Sequence, residues 1–236
     1  MIEFLNLLIN GLIEGLVIAL PALALTLVMG INRFPNAAAG DTMTLGAYAA
    51  LGLQQVGIKF FALAVVGALA AGALLSWLSY RLVFQRLTRS PMVASLLAAI
   101  GIGFIVRSVI SIVAGHDLHT FELPLVRAWN WGGVRVLPTD LAIAATALIL
   151  LALVFCWLQL TPSGRQLRAI ADNPELAKLS GIRSRRLMWM LWLLFGALCA
   201  AGGVLLGVKA VVMPDMGWEM LLPAFAAMIL GGIGQP

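Results

Sequence analysis

The sequence predicts an all-α fold: a polytopic transmembrane helical bundle with a short second span and one polar loop on the cytoplasmic side. Three observations predict it. The 236 residues are 62% hydrophobic and only 11% charged, with a mean hydropathy of +1.02, whereas soluble domains carry roughly 25% charged residues. The apolar residues are gathered into segments of about 20, the length that crosses a hydrocarbon core. The basic residues are shared unequally between alternate loops, as in multi-pass membrane proteins. The net charge of +5 is therefore assigned to loops facing the cytoplasm and not to a nucleic-acid face.

The first span is placed at 5–30. The N-terminus "MIEFLNLLIN" has no basic region, and the apolar run is too long for a signal peptide and lacks a clean cleavage site, so it reads as a retained helix. The second, at 42–58, is short and opens with "NAAAGD". That composition predicts a broken or partly re-entrant helix, which is tolerated only inside protein or along a cavity. Further spans are placed at 60–80, 92–114, 138–160, 187–209 and 220–236. One set of loops then holds Arg33, Arg81, Arg86, Arg89, Arg165, Arg168, Lys178, Arg183, Arg185 and Arg186; the opposite set holds Lys59, Arg127, Arg135 and Lys209. The first set is predicted to be cytoplasmic, which leaves the N-terminus outside. Trp77, Trp129, Trp131, Trp157 and Trp218 fall near span ends, where indole rings anchor at the interface. Small residues at four-residue spacing (Gly11 and Gly15, Gly67 and Ala71, Ala68 and Gly72, Gly203 and Gly207) suit close helix packing. "PALALTLVMG" at Pro21–Gly30 is echoed by "PAFAAMILG" at Pro223–Gly231.

Ionisable residues within spans are costly and are functional candidates. Glu14 lies in the first span, Arg107 in the fourth, and Asp41 opens the second. They either neutralise one another, snorkel to an interface, or meet the ammonium and carboxylate of a zwitterionic solute. Asp41 also suits a helix N-terminus, where a carboxylate complements the macrodipole. His116, Asp117, His119 and Glu122 read as a solvated loop and are not assigned as a metal site. Cys156 and Cys199 read as small buried residues. No catalytic residue is assigned, because no P-loop, nucleophile elbow, zinc-protease or Cys-x-x-Cys pattern is present. Active transport would thus need ATP hydrolysis by a partner; a channel or an ion-coupled carrier is the alternative.

"GRQLRAIADNPELAKLSGI", Gly164–Ile182, is polar within an apolar chain. Asn173 is a suitable N-cap, Pro174 suits the first helical position, Glu175 and Lys178 complement the helix dipole, and Gly181 suits the left-handed C′ position. Leu176 and Leu179 share one face; Leu167 and Ile170 share another on the preceding segment, with Arg165 and Arg168 along a polar edge. This pattern fits a helix on the lipid surface or one that docks on another protein.

The ordered stretches "NGLIEGLVIALPALALTLVMG", "NAAAGDTMTLGAY", "RLVFQRLTRSPMVASLLAAIGIG", "GRQLRAIADNPELAKLSGI" and "AFAAMILGGIGQP" resemble the membrane permease subunit of branched-chain amino acid ABC importers, over essentially the whole chain. The resemblance implies one transmembrane permease domain over 1–236, in a bacterial inner membrane. It implies a second permease subunit, the same or different, two cytoplasmic ABC ATPases that bind ATP and Mg, and a periplasmic solute-binding protein. The chain itself would hold no cofactor. The segment 164–182 would be the ATPase-coupling segment, carried by Arg165, Arg168, Asn173, Glu175, Leu176, Leu179 and Gly181. The translocation pathway is expected at Asn36, Gly40 and Asp41, with Glu14 and Arg107. The implied cargo is a branched-chain or other hydrophobic amino acid; urea or short amides fit a permease of this kind as well. Relatives read Asn-Phe-Ala-His-Gly-Asp/Glu before the second span, where this chain has Ala37 and Ala39 in place of the Phe and His. They also continue beyond the Gly-Gly-x-Gly-x-Pro motif, so the chain is expected to be truncated at its C-terminus.

Overall fold

The fold is given by a computed structural model, which describes residues 2–56, 61–88, 90–121, 127–131 and 134–232. Among them are nine α-helices: α1 Ile2–Asn32, α2 Ala38–Gln55, α3 Phe61–Ser79, α4 Met92–Ala114, α5 Pro138–Leu160, α6 Pro162–Asp172, α7 Pro174–Leu179, α8 Ser184–Lys209 and α9 Met216–Leu230. A π-helical turn, Tyr80–Phe84, continues α3. The all-α expectation needs one addition, an antiparallel hairpin of β1 Trp129–Trp131 and β2 Val134–Val136.

Among the described residues, five helices are long and apolar enough to cross a membrane: α1, α3 with its π turn, α4, α5 and α8. The seven expected spans are thereby revised to five plus two shorter helices, α2 and α9. The final expected span, 220–236, starts earlier, at Met216, and its last four residues lie outside the described ones. The low apolarity of α2 has a packing reason. It contacts α1, α3, α4, α8 and α9, so its alanine, glycine and threonine side chains meet protein and not lipid.

Close approach to α8 holds this centre together. A Cβ on Gly203 would strike the Met43 carbonyl, one on Gly196 would strike Gly72 of α3, and one on Gly46 would strike Ala200. Without hydrophobic drive in lipid, such backbone proximity supplies much of the association between helices. Gly72 and Gly203, from the small-residue pairs, sit at these crossings, whereas Gly11 and Gly15 have nothing within 4 Å. The two echoed segments carry Pro21 and Pro223 inside α1 and α9, and those helices pack together.

The expected break in the second span is corrected in position. α2 runs unbroken from Ala38, so most of "NAAAGD" is helical. The irregular stretch is the connection 33–37 before it. Its Phe34 stacks on Phe84 at 5.1 Å and lies 6.4 Å from the fully buried Trp192. Trp192 is about two turns into α8, so the connection is tucked roughly 12 Å inside the arginine-rich end. Backbone of this kind is stable there because protein surrounds it. The Asn36 side chain accepts from Ala38 N–H at 3.1 Å, and Arg33 turns the chain with φ 56°.

Two smaller expectations change. Cys199 is buried, but Cys156 is exposed on the outward face of α5; a uniformly apolar helix does not mark which face meets protein. His119 is docked, not solvated: its N–H donates to Val212 O at 3.0 Å and its carbonyl accepts from Val212 N–H at 2.8 Å. Glu122 lies outside the described residues, as do Lys59 and Arg89.

Candidate functional site

The structure brings Asp41 and Arg107 together. Arg107 Nε donates to Asp41 Oδ1 at 3.0 Å, and Nη2 lies 2.9 Å from the same oxygen. Asp41 is the fourth residue of α2 and only 2% exposed; Arg107 is 17% exposed and about two turns before the end of α4. The other carboxylate oxygen, Oδ2, faces Gly103, where any Cβ would strike it. A glycine one turn before Arg107 thus opens the space that lets the carboxylate reach the guanidinium. Asp41 lies in the first turn of α2, as the helix-dipole reading expects, and makes this pair as well; Ala37, before the helix, makes no side-chain cap.

A third charge completes the cluster. Arg107 Nη1 lies 3.1 Å from Asp215 Oδ1, and Asp215 is 61% exposed. Asp215 stands at the start of α9, yet its side chain makes no cap bond there. The guanidinium carbon sits 4.9 Å from the Trp218 ring centre and 5.6 Å from that of Phe104. Trp218 is therefore not only an interfacial anchor; its face meets a cation. The start of α9 is fixed by contact of Gly40 with Gly217, where a Cβ on either would strike the other's carbonyl, and by Gly217 N–H donating to Thr44 Oγ1 at 3.1 Å. Asn36 and Gly40 thus shape the α2 entrance to the cluster, the first by ordering the connection and the second by admitting α9.

Glu14 lies elsewhere. Its Oε2 is 3.8 Å from Lys209 Nζ, and it is half exposed. Asp215, Trp218, Gly103 and Gly217 are members of the cluster that sequence reasoning missed. A signal existed for the first two: "PDMGW" places a carboxylate and an indole at a helix start close to the membrane segment. Among the described residues no group of three histidine, cysteine or acidic side chains is suited to a metal.

The second locus is the arginine-rich end. α6 is capped by Thr161, whose Oγ1 accepts from Gly164 N–H at 3.2 Å. Leu167 and Ile170 are buried, so α6 is anchored to the bundle by them. Arg165 points outward, and Arg168 donates to Gln159 Oε1 at 2.8 Å. Asn173 Oδ1 accepts from Glu175 and Leu176 N–H, both at 3.1 Å, which starts α7 at Pro174. Gly181 ends it with φ 76°. Leu176 and Leu179 are 60% and 84% exposed. Beside them a polar cleft of about 410 Å³ is bordered by Ser163, Gln166, Gly181, Arg183 and Arg186.

No solved structure matches the chain. Among known proteins it is similar to the high-affinity branched-chain amino acid transport system permease protein LivH of Escherichia coli, 28% identical over 98% of this chain and 80% of that one. The corresponding BraD protein of Pseudomonas aeruginosa is 27% identical over 99% of this chain and 80% of its own length. A probable branched-chain amino acid transport permease protein of Methanocaldococcus jannaschii is 29% identical over 95% and 73%. The profile of the family described as branched-chain amino acid transport system / permease component matches residues 7–236. With a charge-paired helical bundle matched along nearly all its length, the chain belongs to the branched-chain amino acid transport system permease family.

Proposed function

We propose that the chain is the membrane-spanning permease subunit of an ATP-driven importer that carries branched-chain or other hydrophobic amino acids across a bacterial inner membrane. The observation that carries this reading is the match over nearly the whole chain to permeases named for that transport. The arginine-rich end faces the cytoplasm in this reading, in keeping with the positive-inside rule. ATP and Mg bind to cytoplasmic ATPase subunits, a second permease subunit completes the pathway, and a periplasmic binding protein selects the solute.

The mechanical link is α6–α7. α6 is held to the bundle by Leu167 and Ile170, so a force on α7 is passed to α5 and α8 and not dissipated in a loose loop. α7 is too short to persist alone; its Asn173 cap and Gly181 terminus keep Leu176 and Leu179 presented outward. Two exposed leucines on a capped helix suit insertion into an apolar groove of a partner. ATP-driven closure of the ATPases would shift this segment and rearrange the helices around α2, which touches five neighbours.

The test is co-purification of the ATPase with Leu176→Asp plus Leu179→Asp. Both positions are exposed, so folding is preserved while association and ATP-driven uptake are lost. Undiminished association and uptake would refute the docking role.

A further inference from the structure

We propose that Arg107 is a receptor for the carboxylate of a zwitterionic amino acid, that Asp215 occupies it in the empty protein, and that Asp215 then takes the solute's ammonium group. The inference rests on the importer reading and deepens it, because it names the groups that would hold the cargo within the membrane chain.

The two carboxylates on Arg107 are not equivalent. Asp41 is buried, receives two guanidinium nitrogens, and belongs to a helix packed on several sides. Asp215 is exposed, receives only Nη1, and lies in the connection between α8 and α9. An incoming carboxylate therefore has one partner it can replace without disturbing α2. Nη1 is in the geometry a carboxylate uses, since Asp215 already sits there at 3.1 Å.

Charge conservation favours a zwitterion. Two carboxylates and one guanidinium leave the empty cluster with a net charge of minus one. A solute carrying both charges leaves that sum unchanged, pairs its carboxylate with Arg107 and neutralises the released Asp215 with its ammonium. A lone carboxylate would free Asp215 without a partner and take the net charge of the cluster to minus two. A neutral amide or urea offers no charge to displace Asp215. The exposed parts of Phe104 and Trp218 flank the guanidinium and supply an apolar platform for the solute side chain. Arg107 is in the half of α4 away from the arginine-rich end, the half from which an importer receives its cargo.

The experiment uses the full permease in lipid nanodiscs and equilibrium binding of labelled leucine, with 4-methylpentanoate (leucine without its ammonium) as competitor. Asp215→Asn removes the ammonium partner and also the carboxylate that competes for Nη1. Leucine affinity is expected to fall by about tenfold or more, the scale of one hydrogen bond to a charged group. Affinity for 4-methylpentanoate is expected to rise. A merely structural role would move both affinities in the same direction. Both unchanged, both lowered together, or no leucine binding to the wild-type chain overturns the inference. ATP-driven leucine uptake by the assembled transporter is measured in parallel. Uptake that persists while the binding result fails removes this inference alone; absence of uptake by the wild type removes the function on which it rests.

Discussion

Removing the guanidinium of Arg107 isolates a buried charge, and the structure sets how much that costs. Asp41 is 2% exposed, and among the described residues its cationic partner is Arg107. Arg107→Leu therefore leaves a carboxylate without compensation, at a cost of about 3–5 kcal/mol. Asp41→Asn is much milder. Its amide oxygen still accepts from Nε, and Arg107 keeps Asp215, so the loss is about 1–2 kcal/mol. The two changes are coupled. In the Asp41→Asn background, Arg107→Leu strands a neutral amide and not an ion, and its cost drops to about 1–3 kcal/mol. Denaturant-driven unfolding in mixed micelles, followed by circular dichroism, measures all four proteins. If Arg107→Leu costs the same in both backgrounds within about 0.5 kcal/mol, the sites are independent and the buried pair is refuted.

Other consequences are smaller and more local. Gly103→Ala puts a methyl group against Asp41 Oδ2, so it should destabilise by about 1–3 kcal/mol in the same unfolding assay. Gly11→Ala, with nothing within 4 Å, should be neutral or slightly stabilising by helix propensity. Asn173→Ala removes both bonds that start α7 and should cost about 1 kcal/mol locally, read as faster amide exchange at Glu175 and Leu176 with the rest of the chain unchanged. Gly181→Ala, at φ 76°, should strain the α7–α8 turn by about 1–2 kcal/mol and weaken ATPase association.

The parts of the fold legible in the sequence are those fixed by short-range physics. The bounds of α4 and α5 follow from long, mostly apolar runs, and they match at 92–114 and 138–160. The start and end of α7 follow from Asn173, Pro174 and Gly181, each of which acts within a few residues. What was hidden depends on contacts between distant elements. "NAAAGD" looks like a break because glycine and alanine are weakly apolar, yet its small residues are there to admit neighbours: Gly40 meets Gly217 of α9, and Ala38 and Asp41 face Gly103 of α4. The path from sequence to site was half visible. Asp41 and Arg107 were recognisable as costly intramembrane charges, but their partnership spans 66 residues. Asp215 was hidden because it is polar, exposed and outside the apolar runs, and nothing local ties it to Arg107. Glu14 was recognisable by its depth in the first span, but its partner Lys209, at the far end of α8, was not.

The central claim is an ATP-driven permease for hydrophobic amino acids, and the flux of labelled leucine tests it most directly. Proteoliposomes holding the chain with its ATPase subunits, its partner permease and the binding protein would be supplied with leucine or urea. Leucine should accumulate only with hydrolysable ATP on the ATPase side, and urea should not accumulate. Leucine flux that proceeds equally without ATP or without the ATPase, or accumulation of urea in place of leucine, would contradict the account.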